Sequence, residues 1–147
     1  MLVVGIIGIL AAVAIPAYQD YVYRARVGEA FALANVAQRA VVEHFDRWGR
    51  LPADNAAAGL PAPDAARGSY VASVSIRDGV VEVRFLPSAK ELSKGVLYLR
   101  PATHRKITSV PILWTCKPGV ETAEGYELAA GPQADLVLPK YLPAACR

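Results

Sequence analysis

The sequence is poor in the side chains that usually carry chemistry. Its histidines are His44 and His104 and its cysteines are Cys116 and Cys146. These residues are not spaced as the Cys/His clusters that hold zinc. His44 stands beside Glu43 on a helical pattern, and His104 stands beside Arg105. A general acid or base needs a partner and a tuned pKa in a cleft, and neither histidine has such a partner in the pattern. No G-x-S-x-G elbow surrounds any serine, and no glycine-rich phosphate loop occurs. Asn55 is followed by two alanines, so it is not an N-glycosylation acceptor. Neither enzymatic activity nor a metal or organic cofactor is expected.

Charge is also missing from the first 17 residues, MLVVGIIGILAAVAIPA. An apolar run of this kind has three readings: a membrane or filament helix that begins further upstream, a secretory signal peptide, or a buried core helix. Fifteen residues precede Pro16, fewer than the roughly 20 that cross a bilayer core. Ala12-Val13-Ala14 matches a small-x-small cleavage pattern, but no basic residue precedes the run and helical spacing continues after it. Proline has no N–H for the carbonyl of Ala12, and Gly5 and Gly8 lower helix propensity. A bend is therefore expected between Gly8 and Pro16.

The chain suits one globular domain with an extension: residues 1–17 as the apolar helix half and residues 18–147 as a head. Over residues 18–47, Val27, Phe31, Ala34, Gln38, Val41 and Phe45 recur at helical steps and predict a core-facing stripe. Ala25, Ala30, Ala32, Ala37 and Ala40 offer a surface for a neighbouring rod. Gly49 ends the helix, with Trp48 expected to fold onto the core. Residues 48–68 read as a connecting loop.

Residues 69–116 read as a sheet. Alternation on both sides of Arg77-Asp78-Gly79 predicts a hairpin with strands over 70–76 and 80–86. Tyr70, Ala72, Val74, Ile76, Val81, Val83 and Phe85 would face one core. A third strand is expected over 95–100, then a basic loop over 101–109, then a fourth strand over 110–116. The fold class is α+β: a long N-terminal helix on a four-stranded antiparallel meander, followed by a loop over 116–146.

Net charge is +3, with residues 67–117 carrying plus six and both flanks mildly negative. Such a field suits packing of identical subunits, or contact with an anionic polymer such as DNA. Arg100, His104, Arg105 and Lys106 are the candidate anionic-ligand contacts. Tyr98 is the only aromatic close to them, which makes the stacking signal for nucleic acid weak.

The run GIIGILAAVAIPAYQDYVYRARVGEA over residues 5–30 resembles the N-terminal signature of type IV pilins, bacterial subunits that polymerise into surface filaments. Trp114-x-Cys116, with Lys140-Tyr141-Leu142-Pro143 before Cys146, is similar to the C-terminal region of type IVa major pilins. The resemblance implies a Cys116–Cys146 disulfide bounding the last loop, in an oxidising compartment. It implies a helical homopolymer whose core and membrane-embedded residues are Leu2, Val3, Val4, Ile6, Ile7, Ile9, Leu10, Val13 and Ile15. The subunit would sit in the inner membrane before assembly and in a surface filament afterwards. A prepilin peptidase and assembly machinery are implied partners, and adhesion, twitching motility and DNA uptake are implied activities. In that family the mature chain begins at a methylated residue and carries a Glu at its fifth position. Aligned here, that Glu falls two residues before Met1, so the natural start is expected upstream. A minor pilin or secretion pseudopilin is the first alternative. A secreted binding protein or enzyme with a cleaved signal peptide is the second.

Overall fold

The computed structural model describes residues 2–107, 110–117, 119, 123–131 and 135–146; the side chains of Leu2, Pro16 and Ala17 lie outside the described set. Helix α1 runs over Leu2–Trp48. Its rise of 1.5 Å per residue makes it about 70 Å long. Gly49 ends it at φ 67°, where its N–H donates to the Phe45 carbonyl at 2.7 Å. The His44 Nδ1–H donates to the Arg50 carbonyl at 2.9 Å, which occupies a carbonyl just past the helix end.

The buried stripe of α1 consists of Val27, Ala30, Ala34, Ala37, Val41 and Phe45. It is rotated from the expected one: Ala30 and Ala37 lie against the protein's own sheet, while Phe31 and Gln38 are half-buried at its margin. Three alanines at the contact let helix and sheet approach closely, and full burial of Val41 contributes about 1.5–3 kcal/mol. Trp48 is not folded onto the core but 61% exposed. The stripe closes at Phe45, so Trp48 falls beyond the last residue that meets the sheet.

Strands β1 (Val71–Arg77) and β2 (Val80–Phe85) form the expected hairpin. Asp78 and Gly79 both have positive φ, 50° and 81°, the geometry of a type I′ turn that matches strand twist. A bulge between Val71 and Ser73 changes the side-chain parity of β1. The core residues of β1 are consequently Val71, Val74 and Ile76, with Tyr70 and Ala72 only half-buried. Strand β3 spans Val96–His104, so the start of the expected basic loop is strand instead. It is held there because two short strands, β4 (Leu113–Thr115) and β5 (Tyr126–Leu128), pair with its far end, with Ala102 opposite Leu113 and Leu128. The sheet order is β1-β2-β3-β4 with β5 also on β3. The fold is α+β, with β5 added to the expected meander.

The C-terminal segment closes the other end of β3. The Val96 N–H donates to the Asp135 carbonyl at 2.6 Å, and the Val137 N–H returns a bond to Val96 at 3.3 Å. Gly95 is required at this crossing, since a Cβ there would stand 2.7 Å from the Val137 nitrogen. Cys116 and Cys146 are disulfide-bonded with Cα atoms 4.9 Å apart. For a sequence separation of 30, chain-entropy reasoning gives about 3–4 kcal/mol of stabilisation. The connection between α1 and β1 is pinned by a buried side chain, Asn55. Its Oδ1 accepts from the Ile76 N–H at 2.6 Å, while Nδ2 donates to the carbonyls of Val74 at 3.1 Å and Pro61 at 3.2 Å.

Candidate functional site

The first third of α1 presents a long run of exposed apolar residues. Val3, Val4, Ile6, Ile7, Ile9, Leu10, Val13 and Ile15 are between 50% and 71% exposed, on every side of the helix. That exposure is not the pattern of a buried core helix: among the described residues, none covers these side chains. Leu2 and Pro16, also expected in this site, have side chains outside the described residues. The backbone stays helical through Gly8 and Pro16.

A second surface is the tip of the head, where the end of β3, residues 105–107 that follow it, and β5 meet. The His104 ring lies edge-on to Tyr126 with centroids 5.3 Å apart. Its Nδ1 accepts from the Lys106 and Ile107 N–H groups, both at 3.2 Å, so this nitrogen is the unprotonated one in that arrangement. Arg105 lies 3.5 Å from Glu127, with both side chains about two-thirds exposed; such a pair contributes at most about 1 kcal/mol. Lys106 is exposed. His104, Arg105 and Lys106 are thus brought together. Arg100 is not with them: it is buried, and its Nε and Nη2 donate to the Ala129 carbonyl at 3.2 and 2.8 Å. Burial lowers its pKa from the usual guanidinium value. Its role in the fold is to hold the segment after β5.

Two features carry no obvious mark in the sequence. Glu82 on β2 is 1% exposed, flanked by Arg77 at 3.6 Å and Arg84 at 3.9 Å, and its Oε1 has no hydrogen bond. Strand alternation would have placed it on the outer face, but not under the covering segment that includes Ala129 and Leu136. Beside it, burial and then Glu82 raise the pKa of Tyr98 above the usual phenol value, so its hydroxyl stays protonated. An open groove of about 950 Å³ also follows α1 past Asn35, Arg39, Val42 and Glu43 to Trp114. Among the described residues, no cluster of His, Cys, Asp or Glu is arranged to hold a metal ion.

A bare apolar helix carrying a head of one helix on an antiparallel sheet, closed by a C-terminal disulfide, is the architecture of a filament subunit rather than of an enzyme. A family model described as Pilin (bacterial filament) matches residues 23–147. Over its whole length the chain is 36% identical across 148 residues to the Type IV major pilin protein PilE1 of Neisseria gonorrhoeae, covering 88% of that protein. It is 33% identical across 153 residues to the Fimbrial protein of Neisseria meningitidis serogroup B, covering 89%. It is 36% identical across 151 residues to the Fimbrial protein EcpC of Eikenella corrodens, covering 85%. The chain belongs to the pilin family, in its type IV major branch, whose members are structural subunits of surface pili.

Proposed function

We propose that the apolar stem serves two states of one subunit: it anchors the protein in the inner membrane before assembly and packs against copies of itself in the filament afterwards. The observation that carries this reading is the all-round exposure of Val3 to Ile15. A helix apolar on every side is stable only where apolar material surrounds it. Val3, Val4, Ile6, Ile7, Ile9, Leu10, Val13 and Ile15, with Leu2, are the contact residues, and Gly8 and Pro16 are where the helix yields on packing. A prepilin peptidase and the pilus assembly machinery act on the subunit. Attachment and twitching motility are the activities of the resulting filament. Intact and N-terminal mass spectrometry of filaments sheared from cells tests this reading. A chain that begins upstream of Met1 at a methylated residue, two hydrogens lighter than its reduced mass, is the expected result. A chain beginning near Ile15 in culture medium refutes it, because the stem would have been a signal peptide.

A weaker, separable activity is contact with DNA at the head tip. Its support is the adjacency of exposed Arg105 and Lys106, with Glu127 offsetting part of the charge. Arg105→Ala with Lys106→Ala should reduce DNA retention and flatten its salt dependence. Retention unchanged across a salt series removes the idea.

A further inference from the structure

The end of the head nearest the apolar stem is chemically distinct. Asp20 lies on α1 just past the apolar run, and the Lys140 ammonium is 3.9 Å from its carboxylate. The Tyr23 and Tyr141 rings are 4.8 Å apart, and Lys140 lies 4.6 Å from the centre of the Tyr141 ring. The segment Pro87–Lys94, two short 3-10 turns broken at Lys90 where φ is 53°, packs against α1 at the same place. Lys94 is bonded to Glu91 at 2.8 Å, and that bond first, then the Glu91 charge, raises its pKa, with smaller contributions from Tyr141 and Tyr23. The pKa of Lys140 is raised first by its bond to Tyr141, with Asp20 and Glu91 contributing less. These groups therefore lie within one another's fields. Lys90 at that break and Arg24 one turn beyond Asp20 are both exposed. The cations Arg24, Lys90, Lys94 and Lys140 share this end with the acids Asp20 and Glu91, and Asp135 lines the same hollow as Lys94. Farther along, Glu29 is engaged by the Tyr70 N–H and Arg26 lies against the Tyr23 and Tyr70 rings.

This basic surface stands at a defined height. Asp20 is three residues past Ala17, which is about 4.5 Å along a helix. The headgroup layer on each side of a bilayer is about 5–7 Å thick, so a stem embedded to Ala17 places Lys140 within that layer. Tyr18 and Tyr21, 69% and 71% exposed, stand at the same level, where amphipathic aromatic rings accumulate. We propose that, before assembly, this underside seats the head on an anionic lipid surface. Tyr18 and Tyr21 then lie among the headgroups, and Arg24, Lys90, Lys94 and Lys140 lie over lipid phosphates. The contact holds the head against the bilayer instead of leaving it free on its stem, and must be broken for the subunit to enter a filament. This rests on the anchoring reading above.

The test is lysine acetylation under single-hit conditions, read by mass spectrometry, on the full chain in phosphatidylcholine vesicles and in vesicles that also contain phosphatidylglycerol. Flotation is measured on both samples. A nearby anionic surface attracts each cation by an amount equivalent to about a five-fold effect. Lys90, Lys94 and Lys140 should be slowed several-fold in the phosphatidylglycerol sample, with recovery at high salt, while Lys106 at the tip is unchanged. Arg24→Gln with Lys90→Gln should reduce the protection of Lys140 with an unchanged thermal melt. Flotation with equal rates in both lipids overturns the proposal alone. Protection that follows protein density and ignores lipid composition also overturns it, assigning the face to a second copy of the chain. A chain that floats with neither vesicle overturns the anchoring reading itself.

Discussion

Asn55 gives the sharpest test of how the connection between helix and sheet is held. One planar amide bridges three backbone groups: it accepts from Ile76 at 2.6 Å and donates to Val74 at 3.1 Å and Pro61 at 3.2 Å. Asn55→Ala leaves the Ile76 N–H and the Val74 carbonyl buried without these bonds. An orphaned buried polar group costs about 1–3 kcal/mol, and a carbonyl stands at the low end of that range. The expected loss is therefore about 2–4 kcal/mol, a large part of the roughly 5–15 kcal/mol that holds a domain together. Asn55→Asp separates the acceptor from the donors. It keeps an oxygen for Ile76 but turns a second oxygen toward two carbonyls, so it should cost as much near neutral pH. Burial raises the new carboxyl above its usual value near 3.9; as pH falls through that raised pKa, the acid regains one donor and part of the loss is recovered. Urea unfolding of the oxidised, detergent-solubilised chain measures the first effect, and hydrogen exchange at the Ile76 amide localises it. A loss below about 0.5 kcal/mol, or an Ile76 amide that exchanges no faster, refutes the reasoning.

Replacing Cys116 and Cys146 by serine should cost about 3–4 kcal/mol, read as a lower urea midpoint that reduction of the wild type reproduces; equal midpoints would sink that expectation. Gly95→Ala drives a methyl into the Leu136–Val137 backbone, which is main chain and cannot turn aside, so a loss above about 2 kcal/mol and faster proteolysis after β5 are expected. Glu82→Gln removes a buried charge whose arginine neighbours are more than half exposed, so stability should hold or rise; a fall of more than about 2 kcal/mol would show that the ion cluster is net stabilising.

Elements governed by local spacing were legible in the sequence. The helix, its stop at Gly49, the Asp78-Gly79 turn and the order of the first four strands each follow from neighbours in the chain. What was hidden depends on contacts between distant residues. The bulge at Val71 reverses the parity of β1, which no alternation pattern announces. Strand β5 exists because the far end of β3 is long enough to pair on both edges, and Tyr126–Leu128 alone is too short to declare itself. Ala30 and Ala37 suit an outer surface as well as a core contact because they are small, so helical spacing alone does not turn them inward beside Ala34. Arg100 ends the expected third strand beside the cations of the basic loop, and nothing near it in the chain announces that the distant Ala129 carbonyl takes its guanidinium.

The stem poses a different problem, since lipid and neighbouring helices both satisfy an apolar surface. What separates them is how closely a helix must be approached. Lipid tails adapt to a bulky side chain, whereas packed helices gain most where small residues let backbones draw near. Gly8 sits among exposed Ile7, Ile9 and Leu10 with no atom within 4 Å of where a Cβ would be. Gly8→Leu adds apolar area and removes about 1 kcal/mol of helix penalty, so membrane insertion should be undiminished or improved. The same side chain occupies space that a neighbouring stem would use, so filament yield should fall sharply while membrane-bound subunit accumulates. Ile9→Asp should instead impair both states, at about 3 kcal/mol for a carboxylate at mid-bilayer depth. Electron microscopy of sheared material alongside membrane fractionation reads the two outcomes separately. Normal filaments from the Gly8→Leu chain would mean that the stems stand apart in the assembled state, with the heads alone carrying the contacts between subunits.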